Sequence, residues 1–163
     1  MDKISAERRS ENMRRIRSKG MQPELLVRSL LHRMGYRYSL HNTRLPGRPD
    51  LVFGPRRKAI FVHGCFWHQH SECREGRLPH SRKDYWYPKL TRNVERDRQS
   101  QATIRALGWK SLVVWECELK NLDRAVRRIL TFLGPPGAVP KGSAAFKASD
   151  LRRRIRGPRT RTA

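Results

Sequence analysis

Asp50-Leu51-Val52-Phe53-Gly54-Pro55-Arg56-Arg57-Lys58-Ala59-Ile60-Phe61-Val62 decides the fold. Two short apolar runs flank a four-residue break containing Gly and Pro, the pattern of two strands joined as a hairpin. The second run leads into His63-Gly-Cys65-Phe66-Trp67-His68-Gln-His70-Ser-Glu72-Cys73. Thiols and imidazoles are zinc ligands, and a neutral imidazole takes a proton from water near pH 7. Metal ligands, a base and two large aromatic rings are therefore expected at one strand end.

Residues 22–34 read as a helix. Pro23 suits its first turn, Leu25, Leu26, Leu30 and Leu31 form its apolar stripe, and Gly35 follows at the C′ position. Tyr36–Leu40 reads as a short strand. Residues 74–90 read as irregular and 91–107 as a helix with Val94, Ile104 and Leu107 facing inward. Trp109–Trp115 holds a buried strand, and 119–133 forms a last amphipathic helix. This order predicts a single α/β domain with a mixed central β-sheet flanked by helices. Residues 1–19 are expected as a basic helical arm, or a frayed polar N-terminus. Residues 20–133 are expected as the folded domain and 134–163 as a disordered basic tail.

The formal charge is +23 over 163 residues. The segment from 134 carries +7 of it, and residues 1–133 keep +16. A folded part this basic predicts a polyanionic partner, nucleic acid before membrane. Three cysteines, Cys65, Cys73 and Cys117, make no disulfide framework and suit a reducing cytoplasm.

Pro49-Asp50 delivers a carboxylate beside the His/Cys stretch, and Glu24 is a candidate second acid for a hard cation such as Mg²⁺. A helix acid, Pro-Asp, a hairpin and a polar strand end together resemble the PD-(D/E)xK nuclease core of restriction-endonuclease-like proteins. The chain departs from that pattern. Val62-His63-Gly64 stands where an acid and a Lys belong. A backbone carbonyl, for example that of Val62, is left to supply an oxygen, and His68 or His63 to move the proton.

Four blocks occur in order: Leu45-Pro-Gly-Arg-Pro-Asp50, Ile60-Phe-Val-His-Gly-Cys-Phe-Trp-His68, Asn93-Val-Glu-Arg-Asp97-Arg, and Val114-Trp-Glu-Cys117. Together they closely resemble the very-short-patch mismatch repair endonucleases, over about residues 5–133. The resemblance implies Mg²⁺-dependent nicking of one DNA strand 5′ to the T of a T:G mismatch left by deaminated 5-methylcytosine. It implies Asp50 and the Val62 carbonyl as Mg²⁺ ligands and His68 as general base. Glu24 would act on the same ion through water, and His63 and Asp97 would steady the surrounding water. Cys65, His70, Cys73 and Cys117 would hold a structural Zn²⁺. Glu72 competes with Cys73 because the loop carries one extra residue, and Cys-x₂-His spacing leaves His68 an alternative zinc nitrogen.

Phe66, Trp67 and Trp86 resemble the family's intercalating wedge; Trp86 as ordinary core is the alternative. Met13 and Ile16 would wedge from the other groove, and Lys89 and Asn93 would read base edges. Further partners would be other mismatch-repair proteins, and a monomer suffices to nick one strand. The rivals are a non-catalytic zinc-bearing DNA-binding protein, and a related nuclease of a mobile element or defence system without T:G preference.

Overall fold

The computed structural model describes residues 21–40 and 42–137. The expected N-terminal arm, with Met13 and Ile16, and nearly all of the expected basic tail lie outside them. Helix α1 is Met21–Arg33. Its buried stripe is Val27, Leu30 and Leu31, whereas Leu25 is half exposed. At 100° per residue Leu25 falls opposite Val27, which takes its place in the stripe. Gly35 (φ 91°) ends the helix. The Tyr36 N–H donates to the Leu31 carbonyl and the Gly35 N–H to the His32 carbonyl, a Schellman closure.

The expected strand at 36–40 reduces to one antiparallel bridge, Ser39 with Val52. Its partner β1, Leu51–Phe53, is only three residues long and offers little edge. Tyr36 and Tyr38 instead pack edge-on against Phe53. The hairpin forms as expected. β1 pairs antiparallel with β2, Lys58–His63, in the register Leu51 with Ile60. Between them Gly54–Arg56 makes a 3₁₀ turn, closed by Arg57 in the left-handed region.

Helix α2, Lys83–Ala106, starts eight residues before the expected position and carries Pro88 inside it. Proline costs least in a first turn and removes a hydrogen bond deeper in a helix. Here burial of Trp86 and Leu90 on either side of Pro88 offsets that loss. The inner stripe runs through Trp86, Leu90, Ser100 and Ile104, while Val94 and Leu107 face solvent, contrary to the sequence reading. The helix crosses over to β3, Lys110–Trp115, which lies parallel to β2 with His63 beside Trp115. A 3₁₀ turn, Glu116–Lys120, leads to α3, Leu122–Leu133. The Asn121 side chain caps α3 at the Arg124 N–H. Arg56 and Lys58 meet the Leu133 carbonyl at its C-terminus.

The sheet order is β1-β2-β3. On one face Ile60, Leu51, Phe53 and Val114 pack with Val27 and Leu31 of α1 and Ile129 and Leu133 of α3. On the other face Phe61 and His63 look toward α2. The Gly47 turn sits so close there that a Cβ would lie 2.7 Å from Ser100 and 3.2 Å from Phe61. The mixed α/β expectation holds, as three strands and three helices among the described residues. None of the described helices is long and apolar enough to cross a membrane.

After β2 the chain folds back on itself. A Cβ at buried Gly76 would stand 2.1 Å from the His70 carbonyl oxygen and 2.7 Å from its nitrogen. Gly76→Ala must push the His70 backbone away, so we expect a melting temperature lower by about 5–10 °C. Gly54→Ala, which enters open space, should melt like the wild type in the same calorimetric scan.

Candidate active site and metal centre

The hairpin register sets Asp50, just before β1, diagonally across from Val62, and the Val62 N–H donates to Asp50 Oδ2 at 2.6 Å. Burial pushes the Asp50 carboxyl up to about 6; the Val62 N–H opposes this, nearby Glu24 adds to it, and Arg28 also opposes it. Glu24 is ion-paired with Arg28 one turn along α1. The Arg28 Nε is buried and has no partner among the described residues. Sequence reasoning missed Arg28; its signal was the Glu/Arg spacing of four on a helix face.

His63 points out of the opposite face of β2 from Val62 and is buried. Its ring stacks on His68 at 3.8 Å between centroids, the planes 11° apart. His68 comes from the tight loop after β2, where its N–H donates to the Gly64 carbonyl. His68 Nδ1 lies 2.5 Å from Asp97 Oδ2 on α2. An ionised carboxylate only accepts, so Nδ1 carries a proton, and in the neutral ring Nε2 then has a free lone pair. Burial alone would raise the Asp97 pKa, but the hydrogen bond and charge of His68 outweigh it and hold it low. Burial, with His68 second, drives His63 down to about 4, so its ring is neutral at pH 7.

The three cysteine sulfurs and a ring nitrogen of His70 lie within 4.8 Å of one another. His70 Nδ1 is 3.8 Å from Cys65 Sγ and 3.3 Å from Cys117 Sγ. Tetrahedral ligands at about 2.0–2.3 Å from zinc stand about 3.3–3.8 Å apart, so this donor set fits that ion. Glu72 is exposed and stands outside the cluster. His68 turns to Asp97 instead. Burial pushes the Cys65 thiol up to about 12; at neutral pH it gives up its proton only to a metal.

Phe66, Trp67 and Trp86 meet edge-on, with centroids 5.2, 5.3 and 6.0 Å apart. Trp86 lies beneath, 8% exposed, so it serves the core as well as the ring cluster. Lys89 sets its ammonium over Trp67, Tyr85 and Trp86. Asn93 donates to the Trp67 carbonyl at 3.2 Å. Exposed Tyr85 and Tyr87 extend this surface and were not singled out in the sequence. A groove of about 1010 Å³ runs from His63, His68 and Asp97 between α2 and α3, past Arg98, Arg105 and Arg124.

These features set a buried carboxylate and an imidazole pair held by Asp97 near a compact thiol–imidazole cluster on a basic chain. The profile of the family DNA mismatch endonuclease Vsr matches residues 1–75. The type II nicking enzyme V.XorIIP of Xanthomonas oryzae pv. oryzae is 52% identical over 134 residues, 82% of this chain and 98% of the relative. The type II nicking enzyme V.NmeAIP of Neisseria meningitidis is 42% identical over 135 residues, covering 78% and 96%. DNA mismatch endonuclease Vsr of Escherichia coli K12 is 41% identical over 123 residues, covering 76% and 78%. The chain belongs to the DNA mismatch endonuclease Vsr family. It is an endodeoxyribonuclease, which removes the non-catalytic rival.

Two outcomes test the geometry. Cys73→Ser and Cys117→Ser should each lower bound zinc from about one per chain toward zero on metal analysis, and Glu72→Ala should leave it unchanged. The second concerns pH. Asp50 binds its proton more tightly folded than unfolded, so its contribution to stability is lost as pH rises through about 6. His63 binds its proton less tightly folded, so its contribution is lost as pH falls through about 4. The two oppose each other between those values. In Mg²⁺-free buffer Asp50→Asn should therefore melt with a steeper rise with pH across that window than wild type. Parallel curves would contradict the buried state of Asp50.

Proposed function

We propose that this protein starts very-short-patch repair, nicking one strand 5′ to the T of a T:G mismatch with Mg²⁺ as cofactor and structural Zn²⁺. One observation carries the reading: His68 is hydrogen-bonded at Nδ1 to Asp97 and stacked on His63, the residue that follows Val62 in β2, and the Val62 N–H meets Asp50. Asp50 spends one oxygen on the Val62 N–H and keeps the other. In an extended strand the N–H and C=O of a residue project to the same edge, so the Val62 carbonyl lies on the Asp50 side. These two oxygens would hold Mg²⁺, with Glu24 behind them. Mg²⁺ would supply neutralisation of the charge that develops on the phosphate.

The other roles fall to protein groups. His68 Nε2 takes the proton of the attacking water, and the resulting imidazolium is stabilised by Asp97. His63, neutral and stacked, keeps the His68 ring in plane without competing for the proton. The strand-end geometry supports a PD-(D/E)xK ancestry in which a histidine replaces the usual lysine. Trp67 and Phe66 stack into the opened base step, Lys89 and Asn93 lie at its edge, and Met13 and Ile16 approach from the far groove. Unstacking costs less at a mismatch, so the wedge favours T:G. Arginines bind phosphate without distinguishing sequences. The enzyme acts as a monomer in a cytoplasm, within reach of other mismatch-repair proteins.

The printed names of V.XorIIP and V.NmeAIP, type II nicking enzymes, favour one second reading: nicking directed by sequence. Labelled duplexes, T:G against matched, with and without Mg²⁺, separate the two. We expect nicking of T:G only, and only with Mg²⁺. Asp50→Ala should abolish it with DNA binding retained, and His68→Ala should slow it about 10²–10⁴-fold. Trp67→Ala should lower the preference for T:G over matched DNA at an unchanged salt slope of binding. Equal nicking of matched duplex by the wild type would leave the sequence-directed reading standing.

A further inference from the structure

Four rings join the cysteine–histidine cluster to the histidine pair. His70 stacks on Trp115 with centroids 4.3 Å apart and planes at 14°. Trp115 meets His63 edge-on at 5.4 Å and 74°. His63 stacks on His68 at 3.8 Å. Trp115 ends β3 in register with His63 at the end of β2, so the contact follows from the strand pairing. Cys117, a member of the cluster, follows two residues later.

His63 is buried, and its ring makes no hydrogen bond among the described residues. Packing alone places it, against Phe61, Trp115 and His68. The bond from His68 to Asp97 holds Nδ1, and a ring anchored only there and at Cβ can still tilt about the line joining the two. The plane, which decides where Nε2 points, is set by the stack on His63. Trp115 is the only ring that touches both His63 and a member of the cluster among the described residues.

We propose that Trp115 is a positioning residue through which the cysteine–histidine cluster orients the His68 ring. The proposal rests on reading His68 as the base and the cluster as a metal site. His70, which would be one ligand of a metal held by the cluster, stacks on one face of Trp115, and Trp115 fixes the edge against which His63 and His68 lie. The loop from Gly64 to Cys73 is thereby pinned at both ends of the ring series, by Asp97 and by the cluster.

The test uses the whole protein, Trp115→Leu and Trp115→Phe, each alone and combined with His68→Ala. Trp115→Leu should keep bound zinc and DNA affinity at wild-type values while the single-turnover nicking rate falls about 10–100-fold, the scale of a misplaced reacting group. Trp115→Phe, which restores a ring, should recover most of the rate. In the His68→Ala background Trp115→Leu should cost nothing further, because residues acting as a unit are not additive. A full extra loss there overturns the proposal. If Trp115→Leu loses zinc or fails to fold, the same cycle is run with Trp115→Met, bulkier and equally without a ring, and additivity again overturns it. Histidine-labelled, Mg²⁺-free protein gives a second readout. The His63 and His68 ring resonances should move in Trp115→Leu while those of exposed His32 and His80 stay. Unmoved His63 and His68 signals overturn the proposal even if His68→Ala nicks normally, the result that would instead refute His68 as base.

Discussion

Side chains alternate along a strand, so two consecutive residues at the end of β2 serve opposite sides of the sheet. Val62 offers its peptide edge to Asp50, and His63 turns toward α2. The site is built around this divergence. The carboxylate that would hold a metal belongs to the hairpin, and the imidazoles belong to the α2 side. A slip of one residue in β2 would exchange the two faces and place His63 among Leu51, Ile129 and Leu133, in the apolar core. Ile60 beside Leu51 and Leu112 locks the register. Packing of the fold and placement of the chemistry are thus fixed by the same pairing.

The hairpin was legible because its signals are local: apolar runs, Gly54-Pro55 and a charged tip. So was the end of α1, where Gly35 adopts the left-handed conformation that its position suggested. The start of α2 was not. Pro88 reads as a boundary, and only the tertiary burial of Trp86 and Leu90 tells that the helix runs through it. The segment 36–40 alternates like a strand because Tyr36 and Tyr38 both serve the core. Alternation records burial on one side, not the presence of a neighbouring edge to pair with.

In the site, residue types with few structural uses were easy to single out. Three thiols and His70, at the ends of two strands, were such a set, and the structure gathers them within bonding range of one ion. The partners that orient them carry no such signature. Arg28 looks like one more cation of a basic helix until Glu24 and Asp50 are seen beside it. Asp97 was singled out through the family resemblance alone; by residue type it looks like one more acid in an exposed helix until its stripe, one turn before Ser100, is seen to face His68.

A base on a loop faces a difficulty that a base on a strand does not. Strand geometry fixes the direction of a side chain, whereas a loop must be held from outside, and reacting groups tolerate little misplacement. His68 sits on a loop in which Gln69 adopts the left-handed region and Gly76 admits no side chain. The large rings that this loop carries, Phe66 and Trp67, pack with each other and with Trp86 of α2. The thiol–imidazole cluster holds the loop from its other side. It ties the loop through Cys65, His70 and Cys73 to the turn after β3 through Cys117, so the element that carries His68 is bound to the element that carries Trp115. In the role proposed for Trp115 the cluster's nearness to His68 is a mechanical requirement, since a metal bound elsewhere in the fold would stabilise the protein and still leave His68 free to turn.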